Sequence, residues 1–372
     1  MADEIGRRQG RRALVDQVIG ATTRVDLQPA ERSSWLLPRA GAAGDALPCV
    51  VLADSAGLGE FRVLQRQLSQ LGVPSMYLDT RSIVEMSVTA GADDGLLVVN
   101  GCRIAPVVAW IRHFTSRGIP RLRHPGAAMF RADSWCAMVH ELTASAPVNL
   151  PGGGALGRLE QLTDAARAGL LTPRTMVTTD LESAATSLSS ERIVVKAVGE
   201  HFVEIEPGLL VYALPEIVRR SDLASLAPLD LPVIAQEYID HDRELRIYYL
   251  YGDIHTFEVV KDSPDAPWRD PSAVTVTPTA APADVAEAVR VLADAWSLTY
   301  GAFDILTADE AAFFLEVNPH GDWRWFESAA GVSHITDAAA AMVRTLYQQA
   351  LGGAPQPPAV ELVDFLLMRG ER

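Results

Sequence analysis

Glu316 and Asn318 stand two residues apart in FFLEVNPHGDWRWFE (Phe313–Glu327), an apolar run that Pro319 and Gly321 then break. Side chains alternate faces along a strand, so Leu315 and Val317 are expected on one face and Glu316 and Asn318 on the other. A carboxylate and an amide oxygen side by side, backed by apolar residues, can hold a hard cation. A solvated surface strand would read the same. Asp304, in GAFDIL, precedes the pair by one hairpin, and residues opposite each other on antiparallel strands share a face. Three oxygen donors, two of them anionic, suit Mg²⁺. No His/Cys ligand cluster accompanies them, which speaks against zinc. His201 and His320 are isolated and read as local hydrogen-bonding residues.

Three further stretches carry candidates. Lys196, in IVVKAV, lies among Ile193, Val194, Val195 and Val198. Burying its ammonium without a partner costs several kcal/mol or forces deprotonation, so it faces either solvent or an anion. IAQEYIDHDRELR (Ile234–Arg246) ends an apolar strand in Gln236, Glu237, Tyr238 and Ile239 and then turns into Glu244 and Arg246. Such a segment can offer backbone groups to a flat base, with Ile239 on its face and a carboxylate for ribose hydroxyls. Arg246 shares a face with Glu244 and can clamp an anion through its planar fork; an ordinary surface pair would contribute under ~1 kcal/mol. Trp268 and Arg269 sit in a Pro-rich loop, SPDAPWRDP, of a length often functional in compact units. Arg269 would close over phosphates, or stack on Trp268 as a surface pair.

The elements that must position these residues follow from hydrophobic patterning. At 372 residues the chain is expected to form two or three subdomains, and 48% hydrophobic with 21% charged residues places it among globular proteins. A formal charge of −15 and pI near 5.0 argue against a nucleic-acid surface. No apolar run approaches ~18 residues, so no membrane span is expected. The N-terminus lacks an apolar signal core, and Cys49, Cys102 and Cys136 have no metal-ligand spacing; both features lead us to expect a cytoplasmic protein. Residues 1–46 read as an extension. A β-α-β start at LPCVVLAD opens a small α/β domain over 47–150, with a helix expected over Asp133–Ser145. NLPGGG (Asn149–Gly154) reads as a linker. Beyond it, strands alternate with amphipathic helices, one capped by Asp180 and one opening after Pro282. GAFDIL and AAFFLEVN form a hairpin-like pair through TADE. A Pro-rich stretch sets off a tail, 353–372.

In order, a helix with a basic residue, a strand lysine, QEYI, Glu-x-Arg, a Trp-Arg loop, an Asp strand and Glu-x-Asn-Pro resemble the ATP-grasp ligases over roughly residues 150–350. The set is most similar to the branch of ribosomal-protein glutamate ligases and graspetide (microviridin-type) macrocycle synthetases. That resemblance implies α/β and α+β architecture, with subdomains 151–239 and 240–352 gripping ATP behind a smaller α/β domain. It implies that Arg158 and Lys196 bind phosphates, that Gln236, Glu237, Tyr238 and Ile239 receive adenine, and that Glu244 holds the ribose. Arg246 and Arg269 would be the catalytic cations, and Asp304, Glu316 and Asn318 would hold Mg²⁺, two ions being expected. Arg158 stands where such enzymes usually carry lysine, and Pro267-Trp268-Arg269 where graspetide synthetases typically read Asp-Trp-Arg. The implied activity is an ATP-dependent ligation of a carboxylate to an amine or hydroxyl through an acyl phosphate. Its substrates would be small molecules or a precursor peptide, and assembly as a homodimer stays open. Two alternatives remain: macrocyclisation of a precursor peptide through side-chain ester or amide links, and nucleotide binding without catalysis.

Overall fold

A computed structural model describes residues 46–352 apart from 58, 92–96, 145–147, 150–156, 200–201, 207–208, 213–214, 224–225, 263–272 and 310. The expected extension before residue 46, the tail from 353, most of the glycine linker and the Trp268-Arg269 loop lie outside the described residues. What is described falls into two compact units, one of residues before 148 with the chain from Val343, the other of Val148–Ile205 with Leu209–Met342.

The first unit contains β1 (Leu47–Asp54), α1 (Glu60–Gln70), β2 (Ser75–Asp79), β3 (Val88–Ala90), β4 (Leu97–Val99), β5 (Cys102–Ile111) and α2 (Pro125–Ala144). Its sheet runs β2-β1-β5-β4-β3, parallel through β2, β1 and β5 and antiparallel beyond. Strand β1 lies between β2 and β5 and is buried from Cys49 onward, as a continuous apolar run should be when both faces are covered. Helix α1 buries Phe61, Leu64 and Leu68. Helix α2 starts eight residues before the expected Asp133, at Pro125, where a missing N–H costs nothing. Its first turns bury only Ala127 and Ala132, side chains too small to print an apolar period on the sequence.

The second unit contains α3 (Arg158–Arg167), β6 (Thr175–Thr178), α4 (Leu181–Ser187), β7 (Arg192–Ala197), β8 (Phe202–Glu206), β9 (Leu209–Tyr212), β10 (Glu216–Arg219) and β11 (Val233–Glu237). It continues through β12 (Arg243–Leu250), β13 (Asp253–Lys261), β14 (Val274–Thr279), α5 (Ala283–Ala295), β15 (Tyr300–Ala308), β16 (Ala311–Asn318), α6 (Arg324–Ala330) and the start of α7 (His334–Ala350). One antiparallel sheet runs β10-β7-β11-β6 and another β14-β13-β12-β15-β16. Asp180 caps α4 by accepting from the Ser183 N–H at 3.0 Å, and α5 opens behind Pro282; both match the sequence expectation. In the first sheet Ile193 and Val195 enter the core with Ala184, Leu188 and Ala235, which leaves Val194 and Lys196 on the opposite face.

The larger sheet packs Leu245, Ile247, Phe303, Ile305, Phe314 and Val317 against Leu162, Val289 and Leu292 of α3 and α5. Phe314 and Val317 are three residues apart yet share this core, which regular alternation forbids. A bulge resolves it: Ile305 pairs with Phe314 and Asp304 with Glu316, so Leu315 is the extra residue. The expectation that Leu315 and Val317 simply share a face is therefore corrected. The inserted residue re-aims Glu316 to the face of Asp304. The outer edge of β16 is covered, since Leu171 donates to Ala312 O at 3.0 Å and accepts from Phe314 N at 2.8 Å.

Because Phe314 is fully buried beside the bulge, Phe314→Ala should lose about 3–5 kcal/mol of stability, measured by urea denaturation. A loss below about 1 kcal/mol would contradict this packing.

Candidate functional site

Four of the candidate side chains form a charged row across the larger sheet. Arg246 on β12 lies opposite Asp304 on β15, which lies opposite Glu316 on β16. Arg246 Nη1 donates to both carboxylate oxygens of Asp304, at 2.8 and 2.7 Å. Arg158, from the first turn of α3, pairs through Nη1 with Glu316 Oε2 at 3.0 Å. The order is cation, anion, anion, cation. Lys196, half-buried on the off-core face of β7, lies in the field of Glu316, Arg158, Asp304 and Glu244.

Electrostatics follows from this packing. Burial lowers the Lys196 pKa, and the neighbouring carboxylates recover only part of that. Burial raises Asp304; Arg246 opposes the shift and Glu316 adds to it. Arg246 stays firmly charged, because Asp304 outweighs the cost of burying it. A divalent cation between Asp304 and Glu316 would relieve both their desolvation and their repulsion, so this oxygen-donor set fits Mg²⁺. Asn318 lies opposite Ala302, one pair further along the same face, and its Oδ1 accepts from the His320 N–H at 2.9 Å. Among the described residues no group of three or more His, Cys, Asp or Glu side chains is placed to hold a metal; the candidate trio relies on an amide for its third oxygen.

Glu244, on the same face of β12 as Arg246, does not pair with it. Its Oε1 accepts from Lys261 Nζ at 2.6 Å and from His241 Nε2 at 3.1 Å. The other ring nitrogen of His241 donates to Ile239 O at 2.8 Å. With acceptors on both sides the imidazolium is favoured, and the Glu244 hydrogen bond raises the His241 pKa despite burial. Burial raises Glu244, but His241 and Lys261 outweigh it and hold the carboxyl below its ordinary value. Lys261 escaped the sequence reading. It ends β13, one diagonal from the Glu244–Val259 pair, and only strand register brings it there.

Side chains of the QEYI segment are committed within their own sheet. Gln236 is buried and donates to Thr175 Oγ1 at 2.9 Å. Glu237 Oε1 accepts from the Ser189 and Ser190 N–H groups. Tyr238 lies under Arg192, 4.0 Å from guanidinium carbon to ring centre. The N–H groups of Glu237 and Tyr238 are taken by Arg174 O and Arg192 O. Arg269 lies outside the described residues.

The turn after β16 completes the setting. Tyr300 OH donates to Gly321 O and Tyr248 OH to Asp322 O. The Arg246 guanidinium lies 5.4 Å from the Tyr248 ring centre and 5.3 Å from that of Phe326. Gly321 is required by close approach: a Cβ there would stand 2.5 Å from Ala302 Cβ and 2.7 Å from Arg246 Nη2. Trp323 and Phe326 are buried, and the Trp323 indole donates to Thr336 Oγ1 at 2.9 Å.

No protein-family model matches the sequence, and no curated protein matches it. Solved structures do. The macrocyclase MdnC of Microcystis aeruginosa MRC, bound with precursor peptide MdnA, superposes with a TM-score of 0.65 at 21% identity, over 80% of this chain and 99% of that one. A RiPP-associated ATP-grasp ligase of Chryseobacterium gregarium, complexed with ADP and a leader and core peptide, gives 0.65 at 19% identity, covering 83% and 98%. The ATP-grasp ligase PsnB with minimal precursor, Mg and ADP gives 0.60 at 21%, covering 81% and 99%. The chain has the ATP-grasp fold.

Two outcomes test this geometry. Gly321→Ala must displace Ala302 or the Arg246 guanidinium, so the variant should lose about 1–3 kcal/mol of stability in urea denaturation; unaltered stability would refute the close approach. The raised His241 pKa makes its contribution to stability full below about pH 6.5 and lost as pH rises through the folded value. The stability difference between wild type and His241→Ala, from urea titrations at stepped pH, should shrink across that interval. A difference that grows with pH would contradict the pairing.

Proposed function

We propose that this protein is an ATP-dependent ligase that activates a carboxylate of a precursor peptide as an acyl phosphate and passes it to an amine or hydroxyl. The observation that carries the reading is the Arg246–Asp304–Glu316–Arg158 row with Lys196 in its field. A carboxylate is a poor electrophile, because its leaving group would be oxide. An oxygen of the substrate carboxylate attacks the γ-phosphorus, the bond to the β–γ bridging oxygen breaks, and ADP leaves. The nucleophile then adds to the acyl carbon, loses its proton, and inorganic phosphate departs with the C–O electron pair.

In this reading Lys196 and Arg158 bind the phosphates, the backbone around Ile239 receives the adenine, and Glu244 takes the ribose hydroxyls. Arg246 and Arg269 neutralise the charge developing on the transferred phosphoryl. Asp304, Glu316 and Asn318 would hold Mg²⁺, as two ions; bound there, the metal supplies charge neutralisation on the β- and γ-phosphate oxygens. Residues 151–239 and 240–352 act as the two gripping subdomains. A peptide substrate is favoured because MdnC, PsnB and the Chryseobacterium ligase were each solved with a precursor, leader or core peptide, and link formation within one peptide makes a macrocycle.

The test is incubation with Mg-ATP and a candidate precursor peptide, following ADP, phosphate and peptide mass. ADP released only with peptide, with one water lost per link, is expected. ADP released with free carboxylates and amines instead would make it a small-molecule ligase, and nucleotide binding without turnover would refute catalysis. Lys196→Ala and Glu316→Ala should each lower turnover at least about a hundredfold while remaining folded.

A further inference from the structure

Asn149 reads in sequence as the first residue of a linker, yet its side chain is bonded on every side. Oδ1 accepts from the N–H groups of Thr299 and Tyr300, both at 2.9 Å. Nδ2 donates to Tyr300 O at 2.9 Å and reaches Pro319 O at 3.4 Å. The position explains the pattern. Strand β16 ends at Asn318, opposite Ala302, and the chain turns away through Pro319. The β15–β16 pairing ends at Ala302; at Tyr300, which pairs with Leu250 of β12 on its other side, the Asn149 amide takes both the N–H and the C=O as a neighbouring strand would.

The same tyrosine leads back to the site. Its hydroxyl donates to Gly321 O, and Gly321 is the residue packed against Arg246. Asn149 thus holds the turn that follows Asn318 at two places, at Pro319 O directly and at Gly321 through Tyr300. Asn318 is itself tied into that turn, since Gly321 N donates to Asn318 O at 3.2 Å and His320 N to Asn318 Oδ1 at 2.9 Å. A shift of the turn would move the amide oxygen of Asn318 and the seat of Arg246 together.

We propose that Asn149 is a positioning residue for the metal–triphosphate site: it closes the open end of the β15–β16 ladder and so fixes where Asn318 and Arg246 stand. The inference rests on the ligase reading above. Outer-shell groups that orient metal ligands commonly cost 10–100-fold in metal affinity when removed, and that is the scale expected here.

The experiment uses the full chain and Mn²⁺ as the probe, with free Mn²⁺ read by electron paramagnetic resonance in the presence of a non-hydrolysable ATP analogue. Wild type is compared with Asn149→Ala, which removes every contact, and Asn149→Asp, which keeps the acceptor for Thr299 and Tyr300 but loses the donor to Tyr300 O and Pro319 O. Both variants should weaken Mn²⁺ binding about tenfold or more. Both variants should keep the wild-type circular dichroism, so that what is lost is the site and not the fold. Wild-type Mn²⁺ affinity in Asn149→Asp would overturn the positioning role alone. A wild-type protein that binds no Mn²⁺ with the analogue would overturn the ligase reading, and the inference with it.

Discussion

Two carboxylates, Asp304 and Glu316, face each other on adjacent strands, each with a guanidinium on its outer side, Arg246 at 2.7 Å and Arg158 at 3.0 Å. Like charges this close in a half-buried place repel, and burial raises the cost of keeping either ionised. Flanking cations offset that cost in the protein alone, and a bound cation would do so more directly. Removing one partner from such a pair leaves a partly buried charge uncompensated, which commonly costs more than the pair itself contributes. The surrounding elements therefore have little freedom: three strands must keep register and α3 must present its first residue to β16.

Register here depends on one inserted residue. Phe314 and Val317 both belong to the core, and if Leu315 were an ordinary strand residue rather than a bulge, a strand with Phe314 inward would direct Glu316 inward too. The bulge lets one strand satisfy both its packing and its charge. Arg246 is constrained in a different way, by Tyr248 and Phe326 rings about it and by a glycine at its back. Its guanidinium, held in that plane, addresses both oxygens of Asp304 through Nη1 with fixed direction, which a lysine at the same place would not do.

The two sheets of the larger unit divide the chemistry. The β10-β7-β11-β6 sheet keeps Ile193 and Val195 in its core and presents Lys196 from its other face. The β14-β13-β12-β15-β16 sheet supplies Glu244, Arg246, Asp304, Glu316 and Asn318. Among the described residues four cations have a carboxylate partner here: Lys261 has Glu244, Arg246 has Asp304, Arg158 has Glu316, and Arg192 has Asp240. Arginine at position 158 has a consequence here, since its planar guanidinium makes a directed contact with Glu316.

Sequence alone determined the β-α-β start, the Asp180 cap, the helix behind Pro282, the final hairpin and the spacing that put Asp304, Glu316 and Asn318 in view. Local rules govern all of these: period, capping and turn chemistry act over a few residues. It misplaced the start of α2, where alanines leave no apolar trace. Tertiary structure decided the rest. The Leu315 bulge, the diagonal placing Lys261 beside Glu244, the contact of Gly321 with Arg246, and Asn149 completing a strand about 150 residues away are set by cross-strand register and close packing. Those depend on residues distant in the chain, and no local period carries that information.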